Sequence, residues 1–583
     1  MSLEVYNERL SFVNVGWKAI AFVVVFLLPL TAYVRPAGSE EPVVPGKGQG
    51  LSSYLQSIAS TDPVIQEDGL KALNEMVDPS AFPLLDALND GSLYIWKNAS
   101  GGAKVVILKK VQDQTGQEKI LLLYPLTGET LNKETDQEVD IDNDLDMVSV
   151  KTDIGRRLLR SALERLKLFD RSAQTRTSAA TKIGNSGDLS ALPILEQALT
   201  KETDRWAKHA MEEAINQIRL AYPDPVIRRQ AALNLGDIKG LESLPRLKSL
   251  LSKDGEPDES VRNAIQSSVQ RIVSYQQIAG FIGTAFSGLS LGSILLLMGL
   301  GLAIIFGLMG VINMAHGEMM MIGAYTAFVL QGLFTQYISP ANHDFYFIAA
   351  LPASFIVTGL VGLALEKSVI RFLYGRPLET LLATWGISLI LQQAARWYFG
   401  DLTSVNAPNW MRGGVQAMVG LVLPFNRIFI IILSAVGLFA VYLLLFRTRW
   451  GLRIRAVTQN RDMSACLGVS TRKVDSWTFA FGAGLAGLAG CALSLIGNVD
   501  PEVGSTYIVD SFMVVVVGGV GKLAGVVVSA LGIGMLNKIL EPLIGGTGGA
   551  IYAKLFILAA IILFLQRKPS GLFPAKGRAA ETQ

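Results

Sequence analysis

Asn313, His316, Gly317 and Glu318 stand within six positions of an otherwise apolar stretch. Polar and ionisable groups in such a setting are costly, so they face the interior of a helix bundle or a solute pathway. Glu318 follows a break in the apolar run and falls in the first turn of a helix, where a carboxylate is favoured by the helix dipole. A role at the helix end and a role toward a solute fit that position equally well. His316 and Glu318 make no metal site, because two ligands without a third do not hold an ion. Further on, Thr384, Ser388 and Gln392 recur every fourth residue and share one helix face, with Glu379 and Trp385 near them in sequence. Their donors and acceptors suit either a hydrogen-bonding solute or bonds between helices. An intramembrane enzyme would need a nucleophile–base pair or a metal cluster at helical spacing. No HExxH pattern occurs, and catalysis is not expected.

These residues must be positioned by membrane helices. The 583-residue chain is 50% hydrophobic and only 17% charged, below the quarter usual for soluble domains. From about Ile278 onward, apolar stretches of spanning length lie at 285–310, 318–337, 345–370, 378–399, 420–446 and 474–497. Shorter ones follow at 507–520, 521–541 and 551–566, giving about eight or nine segments in all. Residues 274–288 read as an interfacial helix leading into the first span. Small residues recur at four-residue spacing, Ala483 with Gly487 and Ala486 with Gly490, which lets helices approach closely in lipid. The net charge of +3 gives no reason to expect nucleic acid. Cys466 and Cys491, the two cysteines, exclude a disulfide framework and a cysteine zinc site.

The first half differs in kind. Residues 1–34 hold an apolar run, Ala19–Val34, whose length suits a signal peptide, with an uncleaved anchor as the alternative. Residues 35–272 are charged and repetitive. Asp62-Pro63-Val64-Ile65 recurs as Asp224-Pro225-Val226-Ile227, and Leu73, Leu85 and Leu88 match Leu235, Leu247 and Leu250. A third copy sets Ala179-Ala180, Ile183-Gly184 and Leu192-Pro193 against Ala231-Ala232, Leu235-Gly236 and Leu244-Pro245. A helix pair of this kind cannot bury its apolar face alone, so neighbours must stack. The pattern resembles HEAT-type repeats. An insertion at about 89–150 carries two strand-like runs, Lys104–Lys109 and Ile120–Tyr124, and an acidic loop, Glu134–Asp146. The fold class expected is therefore all-α: a polytopic membrane bundle over 274–575, a short tail at 576–583, and an exported repeat domain with a small β insertion.

Basic loops set orientation. Lys367, Arg371 and Arg376, and then the arginine-rich 447–473 connection, mark the cytoplasmic side, as do Arg567 and Lys568 in the tail. Five crossings precede the second loop, so the repeat domain is expected outside.

Two stretches carry a resemblance: Gly301–Ala324 (GLAIIFGLMGVINMAHGEMMMIGA) and Arg453–Val469 (RIRAVTQNRDMSACLGV). With the helix order around them, they resemble the permeases of branched-chain amino acid ABC transporters over about residues 275–575. Gly375–Gln393 (GRPLETLLATWGISLILQQ) and the N-terminal extension look like the urea-transporting branch. The resemblance implies a bacterial inner-membrane protein working with a second related permease, two ATPase subunits and an extracytoplasmic substrate-binding protein. This chain would bind no cofactor, and its partners would use ATP. It has no GxxxxGK[ST] loop, since Gly518–Lys522 (GGVGK) lacks the first glycine and is followed by Leu523. The 453–469 loop then implies a short helix docking the ATPases, through Arg455, Ala456, Asn460, Arg461, Ala465 and Gly468. Urea is small, neutral and strongly hydrogen-bonding, so Asn313, His316, Glu318, Glu379, Thr384, Ser388 and Gln392 become candidates for its path. A branched-chain amino acid permease is the alternative within the class. A membrane-anchored repeat scaffold or sensor is the alternative outside it, against which the number of segments argues.

Overall fold

The computed structural model describes residues 51–60, 62–76, 81–97, 103–112, 118–131, 144–252, 255–545 and 548–573. The signal-like run Ala19–Val34, most of the acidic stretch Glu134–Asp146 and the tail at 576–583 lie outside the described residues. The chain divides into two units, Ala37–Gln277 and Ile278–Gln583.

In the first unit, helices α1 (Leu51–Ile58), α2 (Pro63–Met76) and α3 (Phe82–Asn89) precede a four-stranded antiparallel sheet. The strands are β1 (Leu93–Trp96), β2 (Lys104–Gln112), β3 (Glu118–Leu123) and β4 (Leu145–Met147), in the order β3-β2-β1-β4. The run Lys104–Lys109 falls in β2, and Ile120–Leu123 of the second run fall in β3 with Tyr124 just beyond it; Ile107 stands opposite Leu123. Helices α4 (Asp153–Lys167), α5 (Ala173–Ser186), α6 (Leu192–Lys201), α7 (Arg205–Arg219), α8 (Pro225–Ile238) and α9 (Leu244–Leu250) complete it with the first turns of α10 (Glu259–Met309).

The sequence repeat is also a repeat of contacts. Asp62 and Asp224 each accept a hydrogen bond from the backbone N–H two residues on, at 3.0 and 2.9 Å, and Ser172 caps α5 from the corresponding position. Four residues after each cap stands a side chain that ties the helix start to preceding backbone. Arg176 donates to Asp170 O and Arg171 O, Arg228 to Tyr222 O and Pro223 O, and Gln66 to Ile58 O. The two arginines also make two-pronged ion pairs, Arg176 with Glu202 and Arg228 with Glu256, through bonds of 2.6–3.0 Å. Beneath them Leu85, Leu195, Leu235 and Leu247 are fully buried, each contributing roughly 1.5–3 kcal/mol.

The second unit is a helical bundle: the rest of α10, then α11 (His316–Tyr337), α12 (Tyr346–Ser368), α13 (Pro377–Phe399), a hairpin of β5 (Gly414–Met418) and β6 (Leu421–Pro424), α14 (Phe425–Arg447), α15 (Arg449–Gln459), α16 (Arg461–Cys466), α17 (Thr471–Leu493), α18 (Val503–Gly518), α19 (Leu523–Ile544) and α20 (Gly549–Arg567). Two expectations change here. No separate interfacial helix occupies 274–288, because α10 runs through it without a break. Among the described residues six helices are long and apolar enough to cross a membrane (α10, α12, α14, α17, α19 and α20), fewer than the eight or nine segments expected. Helices α11 and α13 form where expected but interrupt their apolar runs with Glu318, Gln331, Gln392, Gln393 and Arg396. Helix α18 is apolar but has only 16 residues, and a turn through Gly519 and Gly521, both at positive φ, reverses it into α19.

The bundle closes around α17. A Cβ on Gly490 would overlap the backbone of Met320 on α11, and one on Gly487 would strike Thr358 and Ser354 O on α12. Without side chains there, three helices pack backbone to backbone.

Candidate functional site

Helix α10 stops because Gly310 takes φ +63° while its N–H still bonds Phe306 O, a left-handed helix end open chiefly to glycine. Residues 311–315 then run non-helically to the start of α11, which places Asn313, His316 and Glu318 at the junction, all buried. Glu318 sits in the first turn, as expected. Its bonded oxygen Oε1 does not serve a helix cap. It accepts from Ser388 Oγ at 2.7 Å and from Gln392 Nε2 at 2.9 Å, both on α13. Thr384, one turn earlier on α13, accepts from Met314 N at 3.1 Å and donates to Thr380 O. The two polar groups singled out in the sequence therefore meet.

Their hydrogen-bonding capacity is not used up. Among the described residues, both polar atoms of the Asn313 amide, Nδ1 of His316 and Oε2 of Glu318 are buried without a partner, while His316 Nε2 lies 3.3 Å from Met298 O. Native interiors leave few such groups unpaired, and here four such atoms fall on one six-residue stretch. Glu379 is not part of this cluster. It is exposed at the start of α13, paired with Arg376 at 3.1 Å. Among the described residues no group of three His, Cys, Asp or Glu is placed to hold a metal.

One pattern escaped the reading of the sequence. Gly288-Leu289-Ser290-Leu291-Gly292 spells GxSxG. A nucleophile elbow needs a strand–turn–helix corner, whereas these residues lie inside α10, with the glycines packed against Met535 and Ala530 of α19. Ser290 is buried in that helix rather than displayed at a turn.

The basic loop forms two short helices. Thr448 caps α15, and Asn460 caps α16 by accepting from Met463 N at 2.9 Å. Ile454 and Val457 anchor α15 in a small core with Val474, Leu444 and Leu445. Arg455 lies over Phe446. Arg461 keeps part of its side chain exposed while pairing with the buried Asp475 and covering the Tyr374 ring at 5.4 Å. Ala456 is half-buried, Ala465 is exposed, and Gly468 takes the positive φ that turns the chain toward α17. The outward surface also carries Leu452, Met463 and Leu467, the last 79% exposed. Sequence reasoning passed over these three, although large apolar residues among arginines were the available signal.

Residues 284–565 match the family model described as the branched-chain amino acid transport system permease component. The high-affinity branched-chain amino acid transport system permease protein BraD of Pseudomonas aeruginosa is 29% identical over 302 residues, covering 51% of this chain and 96% of that protein. The corresponding permease LivH of Escherichia coli K12 is 26% identical over 309 residues, again 51% and 96%. The ribose import permease protein RbsC of the same strain is 23% identical over 222 residues, 37% of this chain and 65% of that protein. No solved structure matches.

Proposed function

We propose that residues 284–565, which match the family model of the branched-chain amino acid transport system permease component, form a permease domain, and that the chain is a subunit of an ATP-driven importer whose solute is urea or a short amide. The observation that carries the solute class is the set of buried, unpartnered polar atoms on Asn313, His316 and Glu318, beside the α13 face of Thr384, Ser388 and Gln392. A neutral solute rich in N–H donors and a carbonyl acceptor would satisfy such groups without needing a fixed countercharge. In this reading the Glu318 carboxylate accepts from the solute's amide N–H, and the Asn313 amide meets either end of it.

The energy comes from elsewhere. ATPase subunits dock on the Arg449–Cys466 segment, where Leu452, Met463 and Leu467 offer apolar contact and Arg455 and Arg461 hold the two helices in place. A second permease subunit completes the path, and a binding protein delivers the solute outside the inner membrane. The first unit is a HEAT-type repeat domain on that outer side, a docking surface rather than a catalyst. Its repeated caps and arginine clamps support the repeat assignment.

A branched-chain amino acid as solute is the second reading, favoured by the names of BraD and LivH. Uptake of labelled urea and labelled leucine by cells with and without this gene separates the two. Loss of urea uptake that leucine does not compete supports the first. Loss of leucine uptake alone overturns it in favour of the second.

A further inference from the structure

Resting on the permease reading, we propose that Glu366 is the pivot of a buried relay carrying movement of the Arg449–Cys466 segment to the polar cluster of α11 and α13. Glu366 lies in the last turn of α12 and is wholly buried. It accepts from three groups on two other parts of the fold: Ser476 Oγ of α17 at 2.5 Å, and the Tyr374 hydroxyl and Arg371 Nη2 of the α12–α13 turn at 3.1 and 3.4 Å. Beside Ser476, Asp475 is also fully buried and holds Arg461, the first residue of α16. The Arg461 guanidinium covers the ring of the same Tyr374. Two acids and two arginines thus join the loop helices to α12, α17 and the turn between α12 and α13.

From that turn, two short connections reach the cluster. The Tyr374 hydroxyl lies 4.0 Å from the sulfur of Met309, the last residue of α10, four positions before Asn313. Leu373 O accepts from Thr380 Oγ1 at 3.0 Å, on the α13 face that continues through Thr384 and Ser388. A displacement of Arg461 therefore bears on both elements that hold the polar cluster. Placing one carboxylate under donors from α17 and from the turn makes their positions interdependent, which is what transmission between sites requires.

The test uses the assembled transporter, with its ATPase subunits and binding protein, in proteoliposomes supplied with labelled urea or leucine. Glu366→Gln keeps the size of the side chain but removes the charge, and Tyr374→Phe removes only the hydroxyl. Each is expected to leave assembly and basal ATP hydrolysis near wild type. Solute moved per ATP should fall by about tenfold, within the usual range of coupling energies. Unchanged solute per ATP in both variants would overturn the relay. So would a loss of transport that only tracks loss of assembled complex. If Glu366→Gln fails to assemble, Tyr374→Phe decides by the same ratio. A wild-type complex that hydrolyses ATP and moves neither solute would count against the permease reading instead, so the two failures are distinguishable.

Discussion

At the scale of single residues, one carboxylate joins α11 to α13. Glu318 is bonded through Oε1 to Ser388 and Gln392, and its other oxygen is free of partners among the described residues. Ser388→Ala removes one hydrogen bond to a charged group, worth about 1.5–3 kcal/mol. The expected outcome is a fall in initial uptake of roughly tenfold or more, with surface expression unchanged on a membrane blot. Glu379→Gln, at an exposed ion pair, should leave uptake near wild type. Equal losses in the two variants would dissolve the distinction between them. The polarity of Asn313, His316 and Glu318 in an apolar run was legible in the sequence, as was the common face of Thr384, Ser388 and Gln392. Their meeting was not, because it depends on how α13 lies against the α10–α11 junction. Glu366, Asp475 and Tyr374 gave no signal for the related reason that they are spread over more than a hundred positions.

At the scale of elements, two devices make separate predictions. Gly490 of α17 touches α11 backbone, so Gly490→Val overpacks the bundle by about 1–3 kcal/mol or more. Heated, detergent-solubilised protein should then lose its monodisperse chromatographic peak at a lower temperature than wild type. In the repeat unit, the hydrogen-bonded Arg176 guanidinium holds the Glu202 carboxyl below its ordinary value of 4.5. A depressed carboxylate stabilises the fold above that ordinary value, and its contribution is lost as pH falls through the lower folded value. Amide exchange in α5 and α6 should therefore quicken as pH drops below about 4.5, after correction for intrinsic rates, and Glu202→Gln should flatten that dependence. Burial pushes Glu213 the other way, so its contribution weakens as pH rises. The Leu and Pro spacing made these helix pairs readable from sequence. The arginine clamps were not, because Arg176 of α5 and Glu202, just past the end of α6, stand 26 residues apart. The continuity of α10 was also missed, since a mixed stretch at 274–288 reads as a boundary although its backbone keeps one helix.

At the scale of the whole molecule, the match to the permease family model spans residues 284–565 and leaves residues 1–283 outside it. The second unit brings together a buried polar cluster and a basic segment with exposed Leu452, Met463 and Leu467, and its sequence contains no GxxxxGK[ST] loop. The proposed permease, driven by partner ATPases, accounts for the polar cluster and the exposed apolar residues, whereas a scaffold or sensor would need neither. The measurement that tests this most directly is uptake by purified chain reassembled with its second permease, ATPase subunits and binding protein in proteoliposomes. Labelled urea should accumulate only when ATP is present on the ATPase side, and excess leucine should not reduce it. Accumulation of leucine but not urea would contradict the solute assigned here, and accumulation of neither by a complex that hydrolyses ATP would contradict the transport function itself.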